Sequence, residues 1–305
     1  MKKKALFGAK VLLLGAVVIG LGMATWKMQD YHKGAQDYSE AAQLAGISKE
    51  AFGAIQAPES RPEPDAHPTA SSSSSTASQP AENASESSEP EDWEEDSSPE
   101  EEPLPPEENT ADPYIQALAQ VDLNALRLTN PEVVGWIAIP GTDVFYPVLQ
   151  TDNNQHYLNY TWKNESSSVG AIFLESTNKP DLSGYNTLVY GHQMMDGSMF
   201  GRLSDFGKEG YWREHPSVYM VTDAGVKKYN VFSAFEVGVR DIVYRLDLEE
   251  SKLQQDFIDF CVSNSAIDTG IVPGTDEKML TLSTCTGWGY ATRWVVVAAE
   301  DKGTA

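Results

Sequence analysis

Met279-Leu280-Thr281-Leu282-Ser283-Thr284-Cys285, then Gly287-Trp288-Gly289-Tyr290, then Arg293-Trp294-Val295-Val296-Val297-Ala298, is the stretch whose reading decides the fold. The first and third pieces are short, apolar and rich in β-branched residues, which suits half-buried strands. The middle piece breaks both patterns with two glycines. The run therefore predicts an antiparallel hairpin centred on Gly289, with Cys285 opposite Arg293. Directly opposed residues share a face, with Cβ atoms roughly 4.5–5.5 Å apart. Alternation puts Ser283 on the Cys285 face and Thr284 on the other. A slip of one residue would take Arg293 off that face.

A thiol attacks carbonyl carbon as thiolate, and a nearby imidazole supports that form. A guanidinium stays charged and can stabilise the oxyanion that the attack creates. The imidazole candidate is His192, in Asn186-Thr187-Leu188-Val189-Tyr190-Gly191-His192. Residues 187–190 predict a buried strand that Gly191 ends. The segment from Gln193 to Phe200 predicts a turn running into a short helix capped by Ser198. His32, His67, His156 and His215 do not follow a strand in this way. Cys261 falls in a stretch, residues 253–261, whose apolar spacing predicts the core face of a helix. A Cys261–Cys285 disulfide is the rival use of the two cysteines.

These residues together resemble the sortases: the segment Thr281–Cys285, the Tyr190-Gly191-His192 segment with Asp196-Gly197-Ser198-Met199-Phe200, and the downstream Arg293. The His192 segment and a long helix before the Cys285 strand are similar to class B. The resemblance runs from about residue 112 to residue 299. It implies a cysteine transpeptidase of Gram-positive cell surfaces, with Cys285 as nucleophile, His192 as acid/base partner and Arg293 as oxyanion or substrate stabiliser. Ser283 and Thr284 would line the substrate groove. The implied fold is mostly β: a closed barrel of about eight strands with amino-terminal helices. Implied partners are secreted proteins bearing a carboxy-terminal sorting signal of Asn-Pro-x-Thr or Pro-x-Thr type, and a cell-wall peptide or lipid-linked amine. The loop Thr286–Thr292 carries no acid or base, which leaves substrate identity open. Alternatives at this point are a pilin-polymerising sortase using a protein lysine, and a membrane-tethered binding module without catalysis. An L,D-transpeptidase also uses Cys, His and Arg, but places its Arg about two residues after the Cys.

The remainder of the 305 residues fits around one such domain. The net charge of −23 is concentrated in residues 57–113, which hold 17 acidic residues and one arginine. That Ser/Pro/Glu segment has too little apolar content to offset the entropy of ordering and predicts a disordered, self-repelling linker. The domain that follows, residues 114–305, is itself acidic, which argues against a nucleic-acid partner. No metal-ligand cluster stands out, and no cofactor is expected. At the amino terminus, residues 1–10 are basic and predict a cytoplasmic flank. The uncharged run 11–26 predicts a transmembrane anchor that leaves the bulk of the chain outside. Sixteen residues make about 24 Å of helix, so Ala5–Ala9 would join the roughly 30 Å span with Lys10 snorkelling. A cleaved signal peptide ending near Ala24 is the rival. Residues 27–56 predict a juxtamembrane segment, helical from 34.

Within the domain, helices are expected at 113–119 and 121–128, and a helix cap at Asn130-Pro131. Strands are expected at 135–139, 144–149, 171–174, 187–190, 217–222 and 228–237. A helix at 248–263 and the final hairpin complete the set. Many short strands with turn signals favour a sandwich or barrel.

Overall fold

In the computed structural model, which describes residues 2–55, 112–285 and 292–304, the alternating segments close on one another. Side chains are described from residue 20 onward, apart from those of residues 285 and 304. The strands are β1 (Val133–Ala138), β2 (Phe145–Leu149), β3 (Ile172–Leu174), β4 (Asn186–His192), β5 (Ser217–Thr222), β6 (Gly225–Gly238), β7 (Met279–Cys285) and β8 (Thr292–Glu300). They form a closed eight-stranded barrel in the order β1-β2-β3-β4-β7-β8-β6-β5. Closure pairs every strand on both edges and leaves no edge to template aggregation. The β2–β3 and β4–β7 seams are parallel, and the other pairs are antiparallel.

The hairpin register is the one expected. Thr281 pairs with Val297 and Ser283 with Val295, a frame whose continuation reaches Cys285 and Arg293. Side chains of β7 alternate between two cores. Leu280 and Leu282 pack with the barrel interior, while Met279 packs outside with Val295 and Val297 beneath helix α6 (Ser251–Asn264). That helix buries Phe257, Ile258 and Cys261 on one stripe. Full burial of such apolar side chains is worth about 1.5–3 kcal/mol each.

The remaining helices are α1 (Lys2–Leu44), α2 (Lys49–Gly53), α3 (Pro113–Leu118), α4 (Leu123–Arg127) and α5 (Glu209–Glu214). Three of the short ones, α2, α3 and α4, start at a side-chain cap. Asp112 accepts from the backbone N–H groups of Tyr114 and Ile115 with Pro113 at the first position, and Asp122 accepts from Ala125 N–H. The segment expected to be juxtamembrane is built into the body of the domain: Tyr38, Ala41, Ala42, Ala45 and Phe52 are core residues.

Three local expectations are corrected. Asn130-Pro131 starts no helix; buried Asn130 donates to Tyr157 Oη and the Trp162 carbonyl and accepts from Glu132 N–H, turning the chain into β1. Gly191 does not end β4, which continues through His192. A Cβ there would meet Ile172 Cδ1 at 2.5 Å and Phe200 Cδ2 at 2.8 Å, so the glycine answers packing rather than a turn. Ser198 caps no helix; its N–H and hydroxyl both donate to Asp196 Oδ1 in a tight turn closed by the Gln193–Met199 bridge.

Among the described residues no helix is long and apolar enough to cross a membrane. Most of the run 11–26 lies outside the residues whose side chains are described. The expected linker, apart from its last residues, and the loop 286–291 lie outside the described residues as well.

Candidate active site

Strands β4 and β7 run side by side in the same direction and stop together. Asn186 pairs with Met279, Tyr190 with Ser283, and the last pair is His192 with Cys285. A parallel pair joined through a long crossover thus sets two residues 93 positions apart in sequence at adjacent strand ends.

His192 is half-buried and held in a cradle. Its Nε2 lies 2.6 Å from the carbonyl of Leu158. A carbonyl only accepts, so Nε2 carries a proton, and Nδ1 is the nitrogen left to gain or lose one. Gly170, at φ +64°, closes the back of the ring; a Cβ there would lie 2.8 Å from His192 Cδ2 and 2.7 Å from the Tyr157 carbonyl. The return of the following turn adds a bond from Phe200 N–H to the His192 carbonyl.

Across β7, Arg293 pairs with Val237 on β6, is half-buried, and donates from Nη1 to the Thr292 carbonyl at 3.0 Å. The Thr292 hydroxyl in turn donates to Glu236. Ser283 is completely buried, and its hydroxyl is 2.9 Å from Tyr244 Oη. Thr284 is buried too; its Oγ1 accepts from Trp294 N–H at 3.2 Å, tying the end of β7 to β8. The backbone therefore brings His192 to Cys285, and the hairpin frame carries Arg293 to the same end of the sheet. Ser283 and Thr284 lie beneath that end with almost no exposed surface.

Several residues escaped the sequence reading. The Leu158 carbonyl and Gly170 come from a loop with no motif of its own. Tyr190 donates to Glu175 Oε2 at 2.9 Å. Burial works against ionisation of Glu175, but bonds from Asn154, Tyr190 and Ser176 outweigh it and hold the carboxyl below its ordinary range. Tyr244, in a 3₁₀ turn at Ile242–Tyr244, faces Ser283 from an element that carried no sequence signal. Cys261 is a free, buried thiol on α6, not a disulfide partner, and burial pushes its pKa up. That leaves it a packing residue.

The comparisons give the family and the fold. The sortase domain family matches residues 137–301. Sortase B of Staphylococcus aureus (strain NCTC 8325 / PS 47) is 32% identical over 177 residues, covering 58% of this chain and 72% of that protein. Sortase B of Listeria monocytogenes serovar 1/2a is 30% identical over 166 residues, 54% of this chain and 67% of that one. A crystal structure of Staphylococcus aureus sortase B superposes with a TM-score of 0.58 at 33% identity, covering 61% of this chain and 90% of that chain. The chain belongs to the sortase family, class B, and is a cysteine transpeptidase.

Proposed function

We propose that this chain is a membrane-anchored sortase that cleaves a carboxy-terminal sorting signal after Thr and transfers the protein to a cell-wall peptide amine. The observation that carries the reading is the pairing of His192 with Cys285 at the ends of β4 and β7.

In this mechanism Nδ1 of His192 takes the proton of the Cys285 thiol, the resulting thiolate attacks the carbonyl carbon after Thr, and Arg293 stabilises the oxyanion. With Nε2 committed to Leu158, Nδ1 of His192 is the nitrogen that exchanges protons. It protonates the leaving amine as the peptide bond breaks, and a thioester remains on Cys285. An incoming amine gives its proton to the same nitrogen, attacks the thioester, forms the new amide and releases the thiolate. Ser283 and Thr284 serve the substrate groove from beneath, by holding Tyr244 and β8 in place. Similarity to the solved "sortase B-substrate complex" of Staphylococcus aureus supports a sorting-signal substrate. Similarity to a sortase B structure complexed with triglycine supports a peptide-amine acceptor.

The basic residues Lys2, Lys3, Lys4 and Lys10 and the uncharged run 11–26 support an anchor with its amino terminus in the cytoplasm and the barrel outside. The acidic segment 57–113 is then a spacer within the extracellular part.

Mass spectrometry after incubation with an Asn-Pro-x-Thr peptide library tests the proposal. Wild-type protein is expected to carry a thioacyl adduct on Cys285. Cys285→Ala is expected to carry none and to lose turnover by a factor on the order of 10⁴ or more. Persistence of turnover in that variant sinks the assignment.

A further inference from the structure

Helix α1 is more than a stalk between membrane and barrel. Beside its contact with β2 lies a cavity of about 570 Å³ lined by Tyr31, Tyr38, Phe145, Tyr146 and Met199 among others. The polar contacts of the helix gather on the loop 157–171, which forms the back of the His192 cradle. Asp30 accepts from the hydroxyls of Ser167 and Ser168 and from Ser168 N–H, at 2.6–2.9 Å. The Asp37 carbonyl accepts from Trp162 Nε1, and Lys163 pairs with Asp37 and Glu40. Lys33 pairs with Glu165.

Tyr38 reaches furthest. Its buried hydroxyl donates to the Gly170 carbonyl at 2.6 Å, and Gly170 abuts the ring of His192 and the carbonyls of Tyr157 and Leu158. Its ring meets Tyr146 edge-on at 5.1 Å. Tyr146 Oη accepts from Met199 N–H, and the next residue, Phe200, donates its N–H to the His192 carbonyl. One side chain on α1 thus supports His192 from two directions, through the loop behind its ring and through the turn that follows its strand.

We propose that Tyr38 of helix α1 is a positioning residue for His192, so that the helix emerging from the expected membrane anchor sets the geometry of the Cys285–His192 pair. A shift of the 157–171 loop moves both the Leu158 acceptor and the Gly170 stop. Nδ1 then points away from its working position, while the barrel itself stays folded. The proposal rests on the reading of His192 as the acid/base partner.

The test uses the full chain and needs no substrate for its first readout. The rate of Cys285 alkylation by iodoacetamide is followed across pH by mass spectrometry of the Cys285 adduct, beside circular dichroism and turnover of an Asn-Pro-x-Thr peptide. In Tyr38→Phe, which keeps the ring and removes the hydroxyl, kcat is expected to fall about tenfold with KM little changed. The pH profile of alkylation is expected to move toward that of His192→Gln. Wild-type alkylation and kcat in a folded Tyr38→Phe protein overturn the proposal. If Tyr38→Phe fails to fold, Asp30→Asn is read instead. It loosens the same loop from the exposed side, and a smaller shift in the same direction supports the proposal, while no shift overturns it. A His192→Gln protein with wild-type alkylation and turnover overturns instead the acid/base reading of His192. The two failures are thereby told apart.

Discussion

Two histidines in this molecule sit in nearly the same cradle, and only one is paired with a cysteine. His192 donates from Nε2 to the Leu158 carbonyl with Gly170 behind its ring; His215 donates from Nδ1 to the Pro140 carbonyl with Gly141 behind its ring. Both glycines take positive φ, +64° and +74°, and at each a Cβ would come within 2.8 Å of the imidazole. His215 ends α5, packs against Tyr211 with ring centroids 4.4 Å apart, and is buried. His192 ends a central strand of the barrel and pairs with Cys285. A carbonyl and a close glycine therefore fix a tautomer and a ring position but confer no reactivity. The neighbour across the parallel seam decides what the ring can do.

Substituting the two rings breaks the comparison most sharply. His192→Gln is expected to lower kcat by a factor on the order of 10³ or more with the fold retained. His215→Gln is expected to lower the thermal midpoint and leave kcat within about threefold of wild type, since its ring serves the packing of Pro140 and Tyr211. Steady-state kinetics beside thermal denaturation separates the two. Comparable losses of kcat in both variants would remove the distinction.

Adding a methyl group to each cradle sharpens it. Gly170→Ala and Gly141→Ala each force a strained backbone and a close contact, at about 1–3 kcal/mol of stability. Only Gly170→Ala is expected to lower kcat as well, because the displaced ring is the one paired with Cys285. Chemical denaturation and turnover on the same samples check this.

The smallest effect comes from acid. Burial works against ionisation of Asp30, but bonds from Ser168 and Ser167 outweigh it and hold the carboxyl below the ordinary range; Glu175 is held below it in the same sense. A lowered folded-state pKa contributes stability that is present above the unfolded value, about pH 4, and is lost as pH falls through the folded one. Asp30→Asn is therefore expected to flatten the loss of stability below about pH 4.5. It should leave stability near pH 7 lower by about 1 kcal/mol or less, because Asp30 is only half-buried and solvent screens it. Denaturation midpoints measured from pH 3 to 7 would show an unchanged acid limb if the clamp is inert.

The final hairpin was legible because its information is local. Period-two apolar residues on both sides of a glycine turn specify a register, and a slip would turn every side chain to the wrong face. The observed Ser283–Val295 pair lies in the frame centred on Gly289. The helix carrying Cys261 was equally legible from its apolar stripe. Gly191 and Ser198 were misread for a related reason. A glycine needed for close approach to Ile172 and Phe200 has the same letter as one needed for a turn, and a serine bonded to Asp196 looks like a cap. Neither partner can be chosen from the neighbouring sequence.

By itself, then, the sequence determined the strands, the hairpin register, the thiol and imidazole candidates and the family resemblance, since each follows from patterns a few residues long. Only the tertiary structure decided what surrounds His192. The carbonyl that sets its tautomer is 34 residues away, and the tyrosine that holds Gly170 is 132 residues from that glycine. The structure also made a segment that reads as juxtamembrane into part of the domain core. Such contacts depend on barrel closure and on where α1 crosses it, and no local periodicity encodes a contact between segments so far apart in the chain.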